Sequence, residues 1–355
     1  MNGTMKSLRE LYRIGRGPSA SHTMGPHKAA CIFAERYPDA ARFEVTLYGS
    51  LAATGKGHMT DVAITDALQP VAPVEIHWHP EVVPAYHTNG MLFQAFGRDG
   101  GLAGEWTVYS VGGGALSEGE GRDLSDSGDV YTMNTMTEIT EWCDANGRSF
   151  WEYVDLCEGP GIWDYLREVW EAMRASVERG LQTEGRLPGP LNLARKAATY
   201  HIKALGYQPN LRSRGLVFAY ALAVSEENAS GGTIVAAPTC GSSGVLPGVL
   251  YHLANGHSFS ETQILHALAE MIIRDHLRIV VDQERRECRD DIDDSLDLLR
   301  IHQLDHRRYP GIDLGTDLIA KHDQEGRIPL CQYFDVLHTA FSPELVSDDR
   351  NRPRF

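Results

Sequence analysis

The chain has 355 residues, 42% of them hydrophobic, enough to bury one large core or two domains. Its formal net charge of -15 argues against general nucleic-acid or anionic-membrane binding, because a phosphate-tracking surface needs a basic excess. There is no N-terminal apolar h-region and no run of about 18 apolar residues, so neither a secretory signal nor a membrane span is expected and the cytoplasm is the expected compartment.

Ser7 to Ile14 reads as a short amphipathic helix ended by Gly15 to Gly17. Pro18-Ser-Ala-Ser-His-Thr-Met-Gly-Pro26 follows, with three hydroxyls and one imidazole held between prolines in a rigid polar loop that suits a substrate cradle. His27 to Arg36 has helical spacing, so the loop feeds a helix N-terminus. His22 is either a general acid or base, with its intrinsic pKa near neutrality, or a structural histidine bonding its own turn. Phe43 to Tyr48 alternates as a strand. A second glycine-punctuated loop, Gly49 to Asp61, then carries Lys56, His58, Thr60 and Asp61. Val74 to Trp78 is a further expected strand, and Asn89-Gly90 marks a tight turn into Leu92 to Phe96. Trp106 to Val111 is another strand, closed by Gly112, Gly113 and Gly114, where the backbone can approach a ligand or a neighbour closely.

The acidic, Gly- and Ser-rich segment Ser117 to Gly128 is the best linker, dividing an α+β first region from a helical one. Helical periodicity marks Thr137 to Cys143, Phe150 to Cys157 and Ile162 to Glu178. Leu187-Pro-Gly-Pro190 is a sharp stop. Leu193 to Leu205 offers a helix on which Arg195 and Lys196 read as a solvated basic face, and another helix runs from Arg214 to Glu226. Ser225 to Gly248 holds a loop of glycines and small hydroxyls, Pro238 to Gly244, ahead of the apolar run Val245 to Leu253. Such a loop exposes backbone N–H groups to a carboxylate or phosphate at a helix start, or else serves as a tight crossing between packed helices. A Walker loop is ruled out, since no Gly-Lys-Ser/Thr is near.

These motifs occur in the order found in iron–sulfur L-serine dehydratases, or L-serine ammonia-lyases. The segments that carry the resemblance are 18–26, Leu47 to His58, His87 with Asn89 to Met91, Ser110 to Gly114, Leu187 to Lys196 and Ser225 to Gly248, and it covers roughly residues 5 to 269. It implies an α+β domain over residues 1–125 and an all-helical catalytic region over 126–270. It also implies a reaction in which serine loses water and then ammonia to give pyruvate. In that family three cysteines hold a 4Fe-4S cluster whose free iron binds the serine hydroxyl as a Lewis acid, while a side-chain base removes the Cα proton. Carried over by position, His22 or His58 is the base, and Ser19, Ser21 and Thr23 contact substrate. Lys56, His87 and Asn89 line the cleft with Gly112 and Gly113, and Thr239, Gly241 and Ser242 meet the carboxylate. No pyridoxal phosphate is implied, and a homodimer is.

The departures are as informative. The six cysteines, Cys31, Cys143, Cys157, Cys240, Cys288 and Cys331, lie far apart, as reduced thiols do. The family's cluster-cysteine segments do not occur, and Cys288 and Cys331 lie 43 residues apart in unrelated surroundings. Residues 271–355 change character, with 31 of 85 charged against 50 of 270 before them. This divergent tail suggests a truncation, frameshift or foreign end and an incomplete helical domain. Arg285 to Asp297 holds nine charges in thirteen residues, so much of it must stay solvated, leaving an apolar patch on the helices before it. Within the tail, His302 and His306 stand at i, i+4 and with tail carboxylates would make a metal-site rival. A non-catalytic amino-acid-binding protein is the other alternative.

Overall fold

The computed structural model describes residues 5–271, apart from 120–123, 125–129, 134 and 238. Cys288, Cys331, His302 and His306, with the whole charged tail, lie outside the described residues, as does most of the expected linker.

Ser7 caps a short helix α1 (Leu8–Leu11), its Oγ accepting from Arg9 N at 3.2 Å. The expected helix over 7–14 ends early because Arg13–Arg16 is drawn into a strand, β1. It pairs antiparallel with a second four-residue strand, β7 (Thr233–Ala236), which the sequence pattern did not reveal. A π-helical turn, Ala20–Met24, then runs directly into α2 (Gly25–Arg36).

The first region is a mixed five-stranded sheet in the order β3-β2-β4-β5-β6. Its strands are β2 (Arg42–Tyr48), β3 (Val74–His79), β4 (Gly90–Phe96), β5 (Leu102–Gly112) and β6 (Ala115–Ser117). Among the described strands only β2 and β3 are parallel, and parallel neighbours need a crossover. The segment expected as a loop after β2 supplies it, folding as α3 (Gly49–Thr54) and α4 (Thr60–Leu68). Nor is Asn89-Gly90 a hairpin turn: Gly90 already belongs to β4, which pairs antiparallel with β2. Along β2 every second residue, Phe43, Val45 and Leu47, is fully buried. These meet Phe33 of α2 together with Phe93 and Trp106, the rings of Phe33 and Phe93 lying 5.4 Å apart. Each such aromatic contributes about 2 kcal/mol of burial, which fixes α2 on the sheet and with it the polar turn at its start.

The helical region comprises α5 (Met136–Asn146), α6 (Phe150–Glu158), α7 (Gly161–Gln182), α8 (Ala197–Leu205), α9 (Pro209–Ala229) and α10 (Val245–Gly256). Residues 261–271 are also helical. Both α5 and α6 open on capping boxes, Thr135 with Glu138 and Ser149 with Glu152. No helix among the described residues is long and apolar enough to cross a membrane. Arg195 is not on a solvated helix face. Helix α8 begins only at Ala197, because the buried Glu226 carboxylate accepts from Lys196 N (2.6 Å) and Ala197 N (3.3 Å) and so caps it. Arg195, two residues ahead, is buried against Glu227 at 3.0 Å.

Candidate active site

The polar turn after Pro18 is built by its own hydroxyls. Ser19 Oγ accepts from His22 N (3.1 Å), and the Ser19 carbonyl accepts from Met24 N (3.1 Å), the longer step that makes the turn π-helical. Thr23 Oγ1 accepts from Ser19 N (3.2 Å) and donates to the His58 carbonyl (2.7 Å), so this hydroxyl is committed to joining the two loops. Thr60 Oγ1 does the same from the other side, donating to the His22 carbonyl at 2.5 Å.

This stitching brings the two imidazoles together, with the rings of His22 and His58 4.8 Å apart and tilted by 42°. His22 is enclosed by hydroxyls, with Nδ1 2.9 Å from Ser21 Oγ and Nε2 3.1 Å from Ser50 Oγ. Burial, and then the neighbouring His58, push its pKa below the ordinary value, so it is neutral at pH 7. His58 Nδ1 lies 3.1 Å from the Thr54 carbonyl. A carbonyl only accepts, so Nδ1 carries the proton and Nε2 keeps its lone pair. Ser50 is itself held by Thr88, whose carbonyl and Oγ1 both accept from Ser50 N at 3.2 Å.

Beneath the turn, Gly25 passes so close to Ser110 that a Cβ there would overlap Ser110 Oγ. Asn89 Nδ2 donates to the Ser110 carbonyl at 3.2 Å, and His87 Nδ1 accepts from Asn89 N at 3.1 Å. Gly112 to Gly114 all have positive φ and turn β5 into β6. The Gly113 carbonyl accepts from Arg13, and Gly114 lies against the Ala20 carbonyl.

The second glycine-rich segment reaches the same turn from the helical region. Gly17 N donates to the Gly232 carbonyl (3.1 Å), and Arg16 Nε to the Gly231 carbonyl (3.0 Å). Asn228 Nδ2 donates to the Pro18 carbonyl (3.4 Å), and Cys240 packs with Ala20 and Met24. In the loop beyond, Thr239 Oγ1 lies 3.0 Å from Ser242 Oγ, with both residues and Gly241 exposed. Four buried polar atoms among the described residues have no hydrogen-bond partner: Asn89 Oδ1, Ser110 Oγ, Asn228 Oδ1 and Ser243 Oγ. All four lie on the segments just described. Native proteins leave few such atoms without a protein partner, and those that remain mark strain, an ordered water or a place for a ligand.

Of the expected site residues, the fold gathers Ser19, Ser21, His22, Thr23 and His58 into one cluster, with His87, Asn89, Gly112 and Gly113 on the adjoining strand ends. Lys56 Nζ rests 5.5 Å above the Trp78 ring. Ser50, Thr54 and Asn228 received no role from the sequence. Ser50 stood inside a motif of small residues, and only its contact with His22, 28 positions away, gives it one.

A 4Fe-4S cluster needs three thiolates within reach of one another. Among the described residues no group of three or more His, Cys, Asp or Glu is gathered to hold a metal ion. The described cysteines are free and dispersed, and burial raises the pKa of each, that of Cys240 to about 12. The described residues therefore do not fit the cluster.

The class is that of a mixed-sheet region carrying a turn rich in hydroxyls and imidazoles, followed by a helical region. Residues 7–79 match the family described as serine dehydratase beta chain, and residues 129–273 the family described as serine dehydratase alpha chain. The chain belongs to the serine dehydratase family, with both parts on one polypeptide. It is 36% identical over 300 residues to L-serine dehydratase TdcG of Escherichia coli, covering 69% of this chain and 65% of that protein. It is 33% identical over 302 residues to the L-serine dehydratase of Streptomyces coelicolor, covering 70% and 66%. With the L-serine dehydratase of Helicobacter pylori it shares 29% over 323 residues, covering 76% and 69%. The chain thus spans about two thirds of the length of the curated relatives it matches.

Proposed function

We propose that the chain acts on L-serine with His58 as the base: His58 takes the Cα proton as the Cβ–O bond breaks, the hydroxyl leaves as water with that proton, and the aminoacrylate left behind is hydrolysed to pyruvate and ammonia. The observation that carries this reading is the Thr54 carbonyl at His58 Nδ1, which fixes the tautomer with a lone pair on Nε2. Both nitrogens of His22 are taken by hydroxyls, so His22 serves to orient. Its neutrality matters for the step. When His58 accepts the proton, an imidazolium forms 4.8 Å from the His22 ring, and a second charge there would oppose the transfer. The Thr54 carbonyl stabilises the new cation instead.

Ser19 and Ser21 would bound the substrate on the side of the π-helical turn, and Asn89, Gly112 and Gly113 on the side of the sheet. Thr239, Gly241 and Ser242 would receive the substrate carboxylate in the loop that leads into α10, since the start of a helix favours an anion. The same loop holds Ser243, whose buried Oγ lacks a partner. The first region, residues 1–125, and the helical region, 126–270, would thus share one site.

The test is pyruvate release from L-serine by the full chain purified without oxygen, alongside calorimetric titration with L-serine. Turnover that falls at least about 100-fold in His58→Gln, with serine affinity retained, supports the assignment. Serine binding without pyruvate in the wild-type chain overturns it in favour of a non-catalytic amino-acid binder.

A further inference from the structure

Between Glu184 and Glu226 the chain has no Asp or Glu, yet it carries Arg186, Arg195, Lys196, Lys203, Arg212 and Arg214. In a chain of net charge -15 this is a local reversal of sign. Arg195 is spent on Glu227, but the other five are exposed. The same stretch exposes large apolar side chains on the paired helices α8 and α9: Leu211 at 52%, Phe218 at 44% and Tyr200 at 37%. Leu211 and Phe218 stand seven residues apart, two turns along one side of α9, with Arg214 between them. Tyr200 of α8 closes edge-on to Phe218, ring centroids 5.4 Å apart, and Lys203 Nζ lies 5.9 Å from the Tyr200 ring. The side continues one further heptad to the exposed Ser225, beside Gly244, and so to the exposed Val245 next to the hydroxyl loop.

We infer that this side of α9 is a docking surface for an acidic amphipathic segment of a partner protein. Exposed aromatic and arginine side chains on a common stripe are the residues that carry interface energy. Apolar anchors two turns apart match the Leu or Phe positions of a partner helix, and the flanking cations match acidic residues beside them. A symmetric dimer through this side would set Arg212, Arg214 and Lys203 against their own copies, so the charge opposes self-association here. A bilayer or nucleic acid would meet the field of the whole acidic chain, whereas a short segment feels only charges within about 8 Å at physiological salt.

The probes are two short amphipathic peptides with Leu and Phe at matching turns, one flanked by Glu and one by Lys, followed by fluorescence anisotropy. The Glu peptide should bind more tightly than the Lys peptide, and weaken as salt rises from about 0.05 M to about 0.5 M. Leu211→Asp with Phe218→Asp should weaken it about tenfold or more, and Arg212→Glu with Arg214→Glu should reverse the preference between peptides. Equal or absent binding of the two peptides overturns the proposal. So does tighter binding to phosphatidylserine-containing vesicles, or a wild-type dimer in sedimentation that the Leu211 and Phe218 substitutions dissociate. The substituted positions are exposed and outside the serine site, so pyruvate formation reports separately on the reading above.

Discussion

Arg195 and Glu227 form an ion pair at 3.0 Å with side chains only 7% and 8% exposed, and they bind the end of α9 to the turn before α8. Glu227 also takes Arg179 Nε at 3.2 Å, and Arg195 donates to Ser230 Oγ at 2.7 Å. Removing one partner of a buried pair strands the other, at about 3–5 kcal/mol. Glu227→Leu is expected to lose stability on that scale, measured as a shift of the urea midpoint. The double variant Arg195→Met, Glu227→Leu should recover part of it, because no unpaired charge then remains at the pair.

Gly17 and Gly241 are glycines of opposite kinds. A Cβ on Gly17 would overlap both Oδ1 and the carbonyl oxygen of Asn228, and the carbonyl cannot rotate away. Gly17→Ala should destabilise by about 1–3 kcal/mol, and Asn228→Ala should not rescue it. At Gly241 the nearest atom to an added Cβ is Thr239 Oγ1 at 3.8 Å, ordinary contact. Gly241→Ala should therefore leave the melting temperature unchanged, so that any fall in serine affinity reports on the loop itself.

How much of this was legible in the sequence depends on the distance between partners. Helices α5, α6 and α7 carry their signals locally, in capping boxes and apolar periodicity, and strands β2, β3 and β5 in alternation. The short strands β1 and β7 exist only because each finds the other across more than two hundred residues, and four residues hold no pattern of their own. Arg195 beside Lys196 looks like any exposed basic pair until Glu227 is folded against it. The candidate site residues came from motif resemblance, and their geometry came from the fold. Nothing in the composition of Gly49 to Asp61 shows that helices α3 and α4 would turn His58 back onto His22.

One buried and four half-buried histidines set an expected pH dependence. Burial lowers the pKa of His22, His27, His201, His252 and His266 below their ordinary value. Each therefore binds its proton more readily unfolded, at about pH 6.5, than folded. In the window from about 6.5 downward the unfolded chain holds more protons, so stability falls as the pH falls, levelling off below the folded values. Urea midpoints at neutral and mildly acid pH should show this loss, with a smaller pH slope in His252→Gln. A flat profile would mean that folding does not lower the pKa of these rings.

Ser110 separates folding from recognition most cleanly. It is fully buried and its Oγ has no partner, although its backbone is well held: N donates to the Asn89 carbonyl at 3.0 Å and the carbonyl accepts from Asn89 Nδ2 at 3.2 Å. A buried hydroxyl without a hydrogen bond opposes folding, so Ser110→Ala should leave stability unchanged or raise it by about 1 kcal/mol. It also removes the atom that a Cβ on Gly25 would overlap. Gly25→Ala, destabilising in the wild-type chain, should accordingly cost less in the Ser110→Ala background, a coupling that a double-mutant cycle on urea midpoints measures directly. A hydroxyl kept for substrate instead shows in the kinetics: serine affinity should fall in Ser110→Ala while the protein is as stable as before, or more so. Lost stability with unchanged affinity would make Ser110 a packing residue.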